Sequence, residues 1–290
     1  MNKVYRNKVV IASLIFPGLF LFCAVVLAPI VLSIYYSLTD FTGMATPQFI
    51  GLKNYAMMLK DEVFWRALRN SLFLGLGFIL IQHPIAMLVA ITLDRLPARF
   101  ENLLRCIFFI PNVICVAIIA ALWKFIYNPN FGLLTKVLTF LGYTERFNAL
   151  GIKTALIAVL VVCIWHGFGW GMLIYYTGIK NVDPQLYEAS ALDGAYGLKE
   201  FFYITLPQLR PIVLYNFVSA IVSALKMMET VYLLTDGGPL DQTQFLAVYL
   251  YKCGFTKAQY GYGSAISVVF VLVCILATVV IKGAFKEKEV

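Results

Sequence analysis

Charge is what this sequence has least of. Of its 290 residues 13% are Asp, Glu, Lys or Arg and 61% are hydrophobic, with a mean hydropathy of +0.83. A soluble domain carries about 25% charged residues, so there is too little polar surface here to cover a water-soluble core, and lipid must cover part of it. Further absences narrow the chemistry. No Gly-Lys dipeptide occurs, so there is no G-x-x-x-x-G-K-[ST] phosphate loop and the chain does not hydrolyse ATP by itself. H-E-x-x-H and G-x-S-x-G are also missing. The two histidines, His83 and His166, stand in different apolar runs without carboxylates at metal-ligand spacing, so neither a metal nor a cofactor is expected. Of the six cysteines only Cys253 lies clearly outside an apolar run, which argues for small apolar packing rather than a disulfide framework.

What is present is a set of long uncharged runs: Lys8 to Asp40, Arg69 to Asp94, Arg105 to Lys124, Lys153 to Lys180, Arg210 to Lys226 and Lys257 to Lys282. A helix rises about 1.5 Å per residue and the hydrocarbon core is about 30 Å thick, so these runs predict six transmembrane helices. Their expected bounds are 9–36, 70–93, 104–126, 154–178, 208–228 and 261–282, with Lys226 and Glu229 in the last turn of the short fifth span. The runs are continuously apolar rather than alternating, which favours helices over a closed barrel. The expected class is therefore an all-α integral membrane protein, with residues 1–290 as one transmembrane domain. The first apolar stretch is too long for a cleaved signal and reads as a retained span.

Six spans put both termini on one side. Lys3, Arg6 and Lys8 precede the first span, and Lys282, Lys286 and Lys288 follow the last. By the positive-inside rule both ends are then cytoplasmic. The net charge of +8 is membrane-flanking charge and calls for no nucleic acid.

The inner loop between spans four and five is far longer than membrane crossing requires. Asp183 before Pro184 is a helix start and Gly194 a helix end. A second short helical stretch follows and stops at Pro207. Leu186, Tyr187, Ala191 and Leu192 form an apolar side too small for a core, next to Glu188 and Asp193, and this suits a protein partner better than a lipid surface.

Glu188-Ala189-Ser190, three residues, Gly194, nine residues and Ile204-Thr205-Leu206-Pro207 resemble the EAA loop of permease subunits of binding-protein-dependent ABC importers, with Ser190 where the family has a second alanine. Phe49–Tyr55 is similar to the family's F-x-G-x-x-N-[YF] segment, and Asn128–Gly132 to its N-P-x-x-G turn. Thr235–Pro239 resembles the T-x-G-G-P segment of the first of two permeases in carbohydrate importers, the MalF-like type. The resemblance implies a type I ABC importer permease fold with a cytoplasmic coupling helix in residues 180–207. It implies as partners a second permease, two ATP-binding cassette ATPase subunits and an extracytoplasmic solute-binding protein. It also implies the cytoplasmic membrane of a bacterium or archaeon. Glu188, Ala189, Ser190, Asp193, Gly194, Ile204, Leu206 and Pro207 would then couple to the ATPase, Glu188 as ionic anchor and Gly194 as tight turn.

Candidate pathway residues follow from the family's use of spans four and five. Trp165, His166, Gly167 and Trp170 offer aromatic faces and an imidazole to a sugar, while Gly167 and Gly171 also read as a helix-packing G-x-x-x-G. Asn216, Ser219 and Ser223 share one face of span five, with Met227 following. Asn112 either lines the path or satisfies the carbonyl freed by Pro111. For Gln82-His83-Pro84 the structural reading is favoured. The expected function is half of the translocation pathway for a sugar or oligosaccharide. The alternatives are the same machinery for a glycerol phosphate-type solute or charged saccharide, or a stand-alone secondary transporter. The runs hold no Asp or Glu, which speaks against the last.

Overall fold

The computed structural model describes residues 8–44, 46–143 and 147–285. Lys3, Arg6, Lys286 and Lys288, used above for orientation, lie outside the described residues. In chain order the helices are α1 (Ile11–Ser37), α2 (Lys53–Lys60), α3 (Glu62–Asp94), α4 (Ala98–Val113), α5 (Val116–Ile126), α6 (Leu133–Phe140), α7 (Ala155–Lys180), α8 (Pro184–Leu192), α9 (Leu198–Gln208), α10 (Arg210–Leu225), α11 (Glu229–Thr235), α12 (Leu246–Tyr251) and α13 (Tyr260–Ala284). Helices α1, α3, α7 and α13 are each long and apolar enough to cross a membrane. The pair α4 and α5 meets at 94° and the pair α9 and α10 at 71°, giving six spans if each bent pair is one.

Three expectations change. The third run is not one helix over 104–126. It breaks at Ile114 and Cys115, both extended with ψ 134, three residues past Pro111, which α4 itself accommodates. The fifth run ends at Leu225, so Lys226 lies beyond α10 while Glu229 opens α11, and no ion pair joins them among the described residues. The loop's second helix does not stop at Pro207 but runs on to Gln208.

A shared device carries the chain past its prolines. Cys23–Leu27, Phe78–Gln82 and Phe201–Thr205 are π-helical turns, and each ends two residues before Pro29, Pro84 or Pro207. In each, the residue just before the proline donates to the carbonyl five back: Ala28 to Cys23, His83 to Phe78, Leu206 to Phe201. The wider turn shifts the ladder by one residue, so the missing proline donor and its bulky ring are absorbed without unwinding the helix.

The chain separates into two compact units. One contains the residues up to Asp61 together with Leu250–Leu272. Here Asn54, 3% exposed, gives both amide hydrogens to the carbonyls of Ser37 and Thr39, each at 2.8 Å. Ser37 ends α1, so its carbonyl has no partner within the helix, and Thr39 lies in the extended segment just after it. Gly261 lets α13 meet the same strand-like segment, since a Cβ there would lie 2.2 Å from the Thr39 carbonyl oxygen. The apolar stretch of α1 is exposed throughout, as a lipid-facing helix should be.

The other unit contains Glu62–Tyr249 and Val273–Val290. Helix α7 packs along the second half of α3 and against α4, and α3 also packs on α10. Small residues set the spacing. A Cβ on Gly169 would come within 2.5 Å of the Phe108 carbonyl oxygen, and one on Gly178 within 2.2 Å of Ile212. The closest backbone approach of α7 is thus at Gly169, between the two members of the expected G-x-x-x-G pair. Turn geometry explains other motif glycines. A Cβ on Gly132 would collide with the backbone of Ile126 and Asn128, while Asn128 Oδ1 accepts from Asn130 N at 2.9 Å. The residues just after Thr235–Pro239 hang on α3, where Asn70 Nδ2 donates to the carbonyls of Gln242 at 2.8 Å and Gln244 at 3.0 Å, and the Thr243 hydroxyl between them donates back to Gly238 O.

Gly169→Ala should lower stability by about 1–3 kcal/mol, because the clash is with backbone that cannot rotate away. Gly167→Ala should be nearly neutral, since its nearest neighbour would be Gln82 Oε1 at 3.4 Å. Thermal unfolding of the two variants in detergent checks the contrast. Asn54→Ala leaves the Ser37 and Thr39 carbonyls unpaired and should cost about 1–3 kcal/mol by the same measurement.

Candidate translocation cavity and coupling loop

Helices α3, α4, α7 and α10 enclose a cavity of about 190 Å³. It brings together Asn112, His166, Gly167, Trp170, Asn216, Ser219, Ser223 and Met227 from the sequence-derived pathway set. Trp165 is the exception. Its ring packs edge-on to Trp123 at 5.6 Å, in the hydrophobic cluster around Val159 and Val162. Helix geometry decides this, because Trp165 and His166 point about 100° apart on α7.

Asn112 adopts neither a purely lining nor a proline-rescuing role. Its Nδ2 donates to the His166 carbonyl at 3.2 Å, and so ties the end of α4 to α7 beside the chain break. The cavity shares His166, Ser219, Ser223 and Met227 with a larger hollow of about 830 Å³ that also includes Lys226 and Glu229.

Two residues assigned above to structure alone also line the cavity, Gln82 and His83. They are 7% and 5% exposed. The π turn ending at Gln82 places them opposite Gly167 and Gly171, where a Cβ would lie 3.4 Å from Gln82 Oε1 and 3.2 Å from His83 Nδ1. The two glycines therefore make room for polar side chains instead of bringing helix backbones into contact. The sequence signal was available in a Gln-His-Pro triplet inside an apolar run, though its partners on α7 were not. No Asp, Glu, Lys or Arg is among the residues lining the smaller cavity. The arrangement offers hydrogen bonds from amides, hydroxyls and imidazoles together with the rings of Phe78 and Trp170.

The loop after α7 is built as its local chemistry dictates. Asp183 Oδ1 accepts from Gln185 N at 2.9 Å, and Pro184 occupies the first turn of α8. Gly194 has φ +74, a conformation that suits glycine, and it closes the helix. Glu188, Ala189 and Asp193 are exposed, and Leu192 is 91% exposed. Ser190 is buried and its hydroxyl donates to the Tyr187 carbonyl at 2.9 Å, so it faces its own chain rather than outward. Ile204 and Leu206 are half-buried and Pro207 is exposed.

An ionic cluster at the same end was not foreseen. Lys180 Nζ lies 2.9 Å from Asp94 Oδ1 and 3.7 Å from Glu101 Oε2, and the Tyr176 hydroxyl donates to Glu101. Arg95 pairs with Glu200 at 3.2 Å, linking the α3–α4 turn to α9. These partners are far apart in the chain, so nothing local announces them.

The chain is 34% identical to the probable ABC transporter permease protein YurN of Bacillus subtilis (strain 168), over 98% of both chains. It is 33% identical to the diacetylchitobiose uptake system permease protein NgcF of Streptomyces coelicolor, over 88% of this chain and 76% of that one. In fold it is similar to a chain of a bacterial ABC transporter involved in the import of the acidic polysaccharide alginate, with a TM-score of 0.84 and 22% identity, over 99% of this chain and 98% of that one. Residues 82–286 match the family of binding-protein-dependent transport system inner membrane components. That stretch contains the loop after α7, helices α4, α7 and α10 and the last part of α3, and the chain belongs to this family of membrane permeases.

Proposed function

We propose that this permease forms half of the pathway for a saccharide, in an importer whose work is supplied by separate ATPase subunits. The cavity carries this reading: its lining sets amide, hydroxyl and imidazole groups among apolar side chains, lacks Asp, Glu, Lys and Arg, and is flanked by the Trp170 ring, a combination that suits hydroxyls and sugar C–H surfaces. The name of NgcF, a permease of diacetylchitobiose uptake, supports a carbohydrate. Asn112, His166, Gly167, Trp170, Asn216, Ser219, Ser223 and Met227 are the pathway residues, and Trp165 supports them from the core.

Residues 180–207 are the handle for the motor. Two ATP-binding cassette subunits, a second permease and an extracytoplasmic binding protein complete the assembly, with both termini of this chain in the cytoplasm. Helix α8 is short, capped at both ends and exposed along Glu188 and Leu192, so a partner can hold it as a rigid body. Glu188 is its ionic anchor to a basic ATPase residue. Behind the handle, the Arg95–Glu200 and Lys180–Asp94 pairs connect it to α3 and α7, the helices that wall the cavity.

Glu188→Lys should abolish substrate-stimulated ATP hydrolysis by the importer copurified with its partner subunits, while this chain still inserts in the membrane. Unchanged stimulation would remove the handle reading. A cysteine at Leu192 (Leu192→Cys) should react with a membrane-impermeant maleimide in inside-out vesicles and not in intact spheroplasts. The opposite pattern would reverse the orientation.

A further inference from the structure

We propose that Gln82 and His83 of α3 form an inner subsite that holds one uncharged, hydroxyl-bearing ring of the transported saccharide. This rests on the saccharide reading above and deepens it. At about 190 Å³ the cavity is smaller than the usual ligand site of roughly 300–1,000 Å³, so it takes a part of the ligand. The 830 Å³ hollow with which it shares four lining residues has room for the rest.

The side chains themselves point to a ligand. Gln82 Oε1 and His83 Nδ1 are buried and have no hydrogen-bond partner among the described residues, and Asn216 Nδ2 is buried near the Tyr175 hydroxyl without a close hydrogen bond. Their residues are 7%, 5% and 1% exposed. Burying such groups unpaired is costly, and natural proteins rarely leave several together. A hydroxyl both donates and accepts, so a sugar ring can satisfy an amide oxygen, an imidazole nitrogen and an amide N–H from one face. The π turn of α3 ends on Gln82, and turns of this kind recur at functional sites. Gly167 and Gly171 keep the space in front of both side chains open. With no Lys or Arg in the lining, and its two histidines buried or half-buried, a ring carboxylate would enter without a permanent counter-charge. The subsite therefore selects neutral rings over uronates.

The test uses the intact importer, copurified with its partner subunits and binding protein and reconstituted in liposomes. The probes are radiolabelled maltose, lactose and diacetylchitobiose, and digalacturonate as the acidic counterpart. The wild-type importer should take up at least one neutral probe and exclude digalacturonate. With saturating loaded binding protein, Gln82→Met and His83→Phe should each lower the sugar delivered per ATP hydrolysed by about tenfold. Stimulated ATP hydrolysis should stay within about twofold of wild type. A purely structural role for these residues would lower both rates together, or neither, and either result overturns the subsite. If Gln82→Met does not assemble, Gln82→Asn carries the test with the same expected direction, because its shorter stem withdraws the amide. Uptake of digalacturonate alone would overturn the neutral-ring assignment while leaving a saccharide importer in place. Uptake of none of the probes would instead sink the saccharide reading, and the subsite with it.

Discussion

Backbone groups in hydrocarbon have no water to turn to, and much of this structure answers that one constraint. Before Pro29, Pro84 and Pro207 a π turn moves the hydrogen-bond ladder by one residue so that the helix continues, while Pro17 sits inside α1 without one. Past Pro111 the third run breaks at Ile114, and Asn112 lends its amide to the His166 carbonyl of α7 beside the break. At the end of α1 the open carbonyls are closed by Asn54 from the following segment. The family-like motifs in the connecting segments are thus ways of finishing helices as well as marks of kinship.

The same constraint explains why polar side chains cluster. A polar group facing lipid is costly, whereas one facing a shared hollow can bond water or cargo. Asn216, Ser219 and Ser223 from α10, His166 and Trp170 from α7, and Gln82 and His83 from α3 all turn to one cavity. Glycine supports this twice over. At Gly169 it lets α4 approach the backbone of α7, and at Gly167 and Gly171 it leaves room for polar side chains from α3.

A helix such as α8, nine residues long, is marginal alone in water. Here the Asp183 cap, Pro184 and Gly194 define its ends, and the Tyr187 hydroxyl lies 3.3 Å from Thr205 Oγ1, which fastens it to α9. α9 continues through a 71° bend into α10, which lines the cavity, so the loop and the cavity share one continuous stretch of chain. Surface ion pairs such as Arg95–Glu200 contribute about 0–1 kcal/mol each, so they hold the loop only lightly.

Apolar run length and proline, glycine and Asp-Pro placement, all local properties, were enough to expect a helical membrane protein, the start and end of α8, and a resemblance to importer permeases. Shared helical faces were enough to group Asn216, Ser219 and Ser223. Which way a residue points once two helices meet depends on atoms from both, and a single chain of letters does not contain that. Only tertiary packing broke the third run at Ile114, buried Ser190, set Trp165 against Trp123, and put Gln82 and His83 in front of two glycines about ninety residues away.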